Sequence, residues 1–236
     1  MNGLRAEPPG SGGIVWRTIF DYNVKHDMTV KNAASRDMRP MVGTRQFDET
    51  AVMQRALNVF RQKGLAATSM IDLAQATGVH RGSLYNAYGG KEAIFLSAFE
   101  TYADDYMRGI RTALDQTDAR AALAAFVETV LTSMTAGSPA RGCLSTRTAT
   151  EVDETPPAVQ DRIRRWLDEL QETIEIGLRR RCLADQLTLP PEEAARLLVT
   201  FTRGLAVMER VYHDEAQLRD ISASLIRVLV RQAGKD

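Results

Sequence analysis

The chain has 236 residues, 30 basic and 30 acidic side chains, a formal net charge of zero and a hydrophobic fraction of 44%. These values fit a soluble globular protein with one large or two modest domains, and they argue against a general polyanion binder. No apolar run approaches the roughly eighteen residues of a membrane span. The first residues lack a basic region followed by an apolar one, and Cys143 and Cys182 make no disulfide framework. A reducing cytoplasm is expected, with no membrane partner. His26, His80 and His213 are too scattered for zinc spacing, so neither a metal nor a cofactor is expected.

Residues 1–44 show no sustained periodicity and contain the linker-like PPGSGG, which predicts a disordered arm or an over-extended start. Helical grammar begins with Asp48, a good N-cap. Phe47 and Val52 sit at staple positions around it, and Gly64 is expected to close the helix. Ser69 to Asp72 matches a capping box for a second helix that runs to Thr77, with Gly78 after it. A short third helix is predicted from Arg81 to Ala87, stopped by Gly89 and Gly90. A long fourth starts at Lys91 and continues toward Leu114.

The body reads as further helices: Ala119 to Met134, Arg141 to Glu151, Pro157 to about Leu183, and one starting at Pro190-Pro191. Asp214 caps the last. The fold class is therefore all-α. Six basic residues stand against three acidic ones between Arg45 and Lys91, whereas residues 92–236 carry 18 basic and 23 acidic. That pattern fits a small polyanion-binding head on an acidic body.

The stretch TGVHRGSLYNAYGGKEAIF, residues 77–95, has the grammar of a helix-turn-helix. Arg81 suits guanine O6 and N7, Ser83 and Asn86 suit bases or phosphates, and Tyr85 suits a phosphate or a thymine methyl. Gly82 lets backbone approach a groove wall. The helix starting at Lys91 aims amides and an ammonium at an anion, and Ser69 opens a second such end. Read alone, Arg81 is equally a solvated surface charge and Tyr85 a core residue. The surrounding grammar favours DNA.

From residue 45 to about 100 the sequence resembles the N-terminal domain of the TetR family of bacterial transcriptional repressors. The resemblance rests on the aromatic residue before Gly64, the Thr68-Ser69 pair, the GV turn, the LY pair and the KEA start. It implies a DNA-reading head over residues 45–92 and a ligand-binding and dimerisation body over 93–236. The implied partners are a palindromic operator duplex, a small-molecule inducer and a second copy of the chain. By the same resemblance Thr68, Ser69, Tyr85 and Lys91 are backbone contacts, and Arg81, Ser83 and Asn86 are base readers. His80 stands where Ser or Thr is commoner and Asn86 where His is frequent. Tyr88 falls at a core aromatic position.

The body carries RGCLSTRTATE, residues 141–151, which resembles a GCL element found in a subgroup of these repressors. Cys143 is either a small buried apolar residue or a redox or electrophile sensor, with Arg141 or Arg147 lowering its pKa. Tyr102, Tyr106, Phe126, Met134, Cys143, Trp166 and Met208 are the candidate pocket residues, at spacings equally suited to plain core. Leu205, Met208, Tyr212, Leu225 and Leu229, on the apolar stripes of the last two helices, are the candidate dimer interface. A Cys143–His213 enzyme is the competing reading, and no motif frames it as one.

Overall fold

A computed structural model describes residues 48–135, 142–151 and 155–232. Every regular element among them is a helix, apart from one isolated antiparallel bridge between Leu187 and Val230. In chain order these are α1 (Glu49–Ala67), α2 (Met70–Thr77), α3 (Arg81–Tyr88), α4 (Lys91–Leu114) and α5 (Ala119–Thr135). They continue with α6 (Leu144–Thr150), α7 (Pro157–Leu178), α8 (Arg181–Ala184), α9 (Pro191–Tyr212) and α10 (Glu215–Leu229). The expected arm, residues 1–44, lies outside the described residues, as do Phe47 of the staple and Arg141.

The helix starts follow the capping residues. Asp48 accepts from the Ala51 amide and Asp214 from the Gln217 amide. At α2 the box is complete, with Ser69 Oγ accepting from Asp72 N and Asp72 Oδ2 accepting from Ser69 N. Lys63 adds an ion pair to Asp72 at 2.5 Å, and with the Ser69 bonds it holds that carboxyl well below the usual range. Two boundaries in the body differ from the sequence reading by more than one residue. The sixth helix begins at Leu144, not Arg141, and α7 ends at Leu178, where Arg179 and Arg180 lead into the separate single turn of α8.

Burial follows helical period. On α7, Val159, Ile163, Trp166, Leu170, Ile174 and Leu178 form one inward stripe. The head closes over Phe60, Leu73, Leu84 and Phe95, all fully buried. Rings then run on into the body: Phe60 meets Phe95 edge-on at 5.1 Å, Phe95 stacks on Phe99 at 5.9 Å, and Phe99 meets Trp166 at 5.9 Å. Across the body Arg162 on α7 grips the Glu100 carboxylate of α4 at 2.6 and 2.8 Å, and Arg219 on α10 pairs with Glu128 on α5.

Gly64 does not end α1 as expected; it breaks the helix from within. Its φ of 83° and ψ of 170° leave a final turn through Ala67 beyond the break. That conformation suits glycine alone. The interruption frees backbone groups on both sides, and side chains from elsewhere take them up. Arg147 on α6 donates to the carbonyls of Gln62 (3.0 Å) and Lys63 (2.7 Å). Glu151 Oε2 accepts from the amides of Leu65 (3.1 Å) and Ala66 (3.3 Å). Lys91 Nζ donates to the carbonyls of Leu65 (2.8 Å) and Ala66 (3.2 Å).

A methyl group at residue 64 would sit 2.0 Å from Glu151 Oε1. Gly64→Ala should therefore destabilise the protein by at least about 1–2 kcal/mol from backbone strain alone, and further by expelling the carboxylate. Urea unfolding of Gly64→Ala, Glu151→Ala and the double variant separates the two parts. The alanine should cost less when Glu151 is already gone. Equal costs in both backgrounds would show that the carboxylate contact contributes nothing.

Candidate nucleic-acid interface and body cavity

The second and third helices are joined by a short turn. Gly78 adopts φ 70° as the left-handed cap of α2, and Val79 is buried beneath the turn. Thr77 Oγ1 bonds back to the Leu73 carbonyl, while Arg55 reaches across from α1 to the Thr77 carbonyl at 3.0 Å. Nδ1 of His80 accepts from the Gly82 amide at 3.3 Å, so His80 is the N-cap of α3. The imidazole is otherwise exposed beside the outer face of α3.

Leu84 is the buried anchor of α3, while Arg81, Gly82, Ser83, Tyr85 and Asn86 all face outward. The Arg81 guanidinium lies over the Tyr85 ring at 5.8 Å, one helical turn away, with no carboxylate pairing it among the described residues. Tyr88 turns inward, as expected of a core aromatic. Its hydroxyl donates to Glu49, and burial together with that carboxylate pushes its pKa up to about 12. Gly89, with φ 84°, ends α3, and α4 begins after Gly90 without a side-chain cap. The first amides of α4 therefore point outward beside the α3 face.

Three of the expected backbone contacts have partners within the chain. Thr68 is buried, with its hydroxyl on the Gly64 carbonyl, so it lies off the outer face. The Ser69 hydroxyl is committed to Asp72. The Lys91 ammonium is held by the end of α1, which leaves the helix amides, not the side chain, free at that position.

In the body, Tyr102, Tyr106 and Trp166 form one ring cluster, with centroids 5.8 Å apart for the tyrosines and 5.5 Å for Tyr106 and Trp166. Burial raises both tyrosine pKa values. A cavity of about 520 Å³ opens beside the tyrosines between α1, α4 and α5, lined also by Leu57, Arg61, Thr129 and Ser133. Phe126, Met134, Trp166 and Cys143 are buried outside its lining and Met208 is 48% exposed on α9, so of the candidate pocket residues Tyr102 and Tyr106 line this cavity.

Sequence reasoning missed Arg61 and Arg203. Arg61 sits on the Tyr102 ring at 5.1 Å and donates to the Ser133 carbonyl at 2.8 Å. Arg203 sits on the Trp166 ring at 5.4 Å and donates to Ser145 Oγ at 2.6 Å. The available signal was an arginine interrupting an apolar helical face, one turn after Leu57 in one case and after Val199 in the other.

Cys143 is buried at the start of α6. Burial pushes its thiol up, but the nearby Arg203 charge and hydrogen bonds with Ser145 and Thr146 outweigh that and bring it down to about 7. Arg203 Nη1 lies 3.6 Å from the sulfur. The cation acting on the thiol is thus Arg203, not Arg147, which is engaged with Glu151 and α1.

On the last two helices, Leu205 and Leu229 are buried in the chain's own core and are not free to meet a partner. Leu225 is half-buried. The outward stripe consists instead of Leu197, Met208, Val211 and Tyr212 on α9 with Ile221 and Val228 on α10.

Comparison with known proteins agrees with this division. Residues 52–98 match the family described as bacterial regulatory proteins, tetR family. Residues 119–225 match the tetracyclin repressor-like C-terminal domain. The HTH-type transcriptional regulator YezE of Bacillus subtilis is 27% identical over 182 residues, covering 75% of this chain and 93% of its own. The HTH-type transcriptional repressor ComR of Escherichia coli is 22% identical over 188 residues, covering 77% and 89%. A cysteine mutant of the regulator CifR, solved with 26-bp double-strand operator DNA, superposes with a TM-score of 0.68 at 28% identity, covering 78% of this chain and 97% of that one. With matches to both halves of the fold, the chain belongs to the TetR family of bacterial transcriptional regulators, which are transcription factors and not enzymes.

Proposed function

We propose that the protein is a homodimeric repressor that holds a palindromic operator and lets go when a small molecule enters its helical body. Residues 45–92 are the reading head and 93–236 the ligand-binding and dimerising body. The observation that carries this reading is the outer face of α3. There Arg81, Ser83, Tyr85 and Asn86 are exposed together around a single buried anchor, Leu84. Such a face suits base edges in a major groove, and the uncapped start of α4 beside it suits a phosphate. The operator-bound structure of CifR lends support.

The apolar stripe of α9 and α10 supports the homodimer. Leu197, Met208, Val211, Tyr212, Ile221 and Val228 are exposed on neighbouring helices, and a second copy would cover them as a four-helix layer. Two recognition helices about 34–36 Å apart then read successive major grooves, which requires a palindrome. Release runs through α6. Arg203, on the Trp166 ring behind the cavity tyrosines, bonds Ser145 at the start of α6, while Arg147 on α6 and Glu151 at its end hold the broken end of α1. A ligand that displaces α6 therefore changes how α1 presents α2 and α3.

Arg81→Ala should leave stability within about 0.5 kcal/mol, because Arg81 is an exposed residue. It should weaken binding to the best duplex by roughly 1–3 kcal/mol and to scrambled DNA far less. Lys91→Ala should instead lower the melting temperature and weaken both duplexes alike. A salt titration of binding alongside thermal melts checks both variants. An equal loss on both duplexes for Arg81→Ala would make Arg81 a phosphate anchor and remove the base-reading assignment.

The double variant Val211→Glu with Ile221→Glu should sediment as a folded monomer and lose most operator affinity. The charges fall on exposed positions, so folding is spared. A dimer of unchanged affinity would place the interface elsewhere.

A further inference from the structure

We propose that the cavity between α1, α4 and α5 binds a small carboxylate carried on a flat apolar body, of the class of aromatic acids. The proposal rests on the reading above, in which a body ligand releases the operator, and it names the chemistry of that ligand.

Among the described residues, the buried side-chain nitrogens and oxygens that lack a hydrogen-bond partner are Arg61 Nε, Tyr102 Oη, Trp166 Nε1 and Arg203 Nε. Arg61 and Tyr102 line the cavity, and Trp166 and Arg203 adjoin them through ring contacts without lining it. Arg61 lies on the Tyr102 ring, Arg203 lies on the Trp166 ring, and those two rings are 6.1 Å apart. Three of the four atoms can only donate, and the fourth is a hydroxyl able to donate. Buried donors without acceptors are costly and rare, so a cluster of them in one place points to an acceptor that arrives from outside.

The charge around the cavity points the same way. Neither Arg61 nor Arg203 has a carboxylate within ion-pairing distance among the described residues. The carboxylates on the cavity's rim are already engaged, Asp105 by Arg108 and Glu128 by Arg219. Cys143 is the acidic group beside Arg203, and with its thiol near 7 it matches that charge only in part at neutral pH. An ammonium ligand would meet the Arg61 guanidinium, and an uncharged hydrocarbon would leave the Arg61 and Tyr102 donors unpaired. A carboxylate offers up to four lone-pair sites to donors in fixed fork geometry.

The rest of the ligand is set by the walls. Leu57 and the rings of Tyr102 and Tyr106, with centroids 5.8 Å apart, form the apolar part of the lining, which suits a planar apolar body. A cavity of about 520 Å³ falls within the range of small-molecule sites.

The test uses the full-length protein and calorimetric titration with benzoate, cinnamate and 2-naphthoate, each against its own amide. At least one acid should bind, about tenfold or more tightly than its amide. Arg61→Gln should remove about that preference. Because losing Arg61 also removes its bond to the Ser133 carbonyl, Tyr102→Phe provides a second arm. Removing a hydroxyl that has no partner should hold or raise the melting temperature, yet it should weaken the acid by about tenfold. Amides binding as well as their acids, or no binding by any probe, would overturn the proposal. So would a Tyr102→Phe variant with full affinity. Displacement of a DNA duplex selected for tight binding is measured with the same acids. Acid binding that leaves the duplex in place keeps this site and instead removes the inducer reading on which it was built.

Discussion

The broken end of α1 is the constraint on which the rest of the molecule depends. A glycine at φ 83° opens the helix, and the exposed backbone groups are met by two charged side chains of α6 and one of α4. Hydrogen bonds to charged groups contribute roughly 1.5–3 kcal/mol each, with a discount here because Arg147 and Glu151 are each about one-fifth exposed. The chain then turns through Thr68, buried and bonded to Gly64, into the capping box that starts α2. The direction of α2, and of α3 beyond the Gly78 turn, follows from how that corner is closed. The head is aimed by the body.

This arrangement gives α6 two loads. Its start lies beside Arg203 through Ser145, and its far end carries the grip on α1. Leu144 to Thr150 spans about 9 Å at 1.5 Å per residue, so a displacement at one end arrives at the other with little loss. The ring ladder from Phe60 through Phe95 and Phe99 to Trp166 runs in parallel and ties the head core to the same cluster. A ligand shifts such a system only by its differential affinity for the two arrangements. Cavity residues and α6 therefore have to belong to one packed unit, and they do.

Most of the fold was legible because helical soluble proteins write their boundaries locally. Asp48, Ser69 with Asp72, Gly78, Pro157, Pro191 and Asp214 act within one turn of where they stand, and each marks the end it was read to mark. The outward face of α3 was legible for the same reason, since a single buried Leu84 fixes the rotation of a short helix. What failed was what depends on distant partners. Gly64 reads as a terminus, but Glu151 and Arg147 stabilise a turn beyond it. Lys91 reads as a phosphate ligand, and the carbonyls of Leu65 and Ala66 hold its ammonium, while Thr68 is turned inward by the same broken corner. Leu205 and Leu229 share a helical period with the exposed stripe, and period alone does not say which flank of a broad apolar face turns outward. Arg61 and Arg203 were passed over because an arginine on an apolar face looks like a boundary between faces. Their meaning comes from rings on other helices.

The cluster around Arg203 also links stability to charge in a definite direction. In the folded chain the Cys143 thiol is brought down from the ordinary 9 to about 7, so folding favours the thiolate. The stabilisation from that pairing is full above the ordinary thiol value and is lost as pH falls through about 7. Near neutrality the thiolate and thiol forms coexist, and Arg203 is matched in only part of the population. The guanidinium therefore has a resident partner that holds it weakly, enough to keep the empty protein folded around a buried cation. Burying a cation beside a partly charged partner costs stability, and the hydrogen bond from Arg203 to Ser145 and its place on the Trp166 ring offset part of that cost.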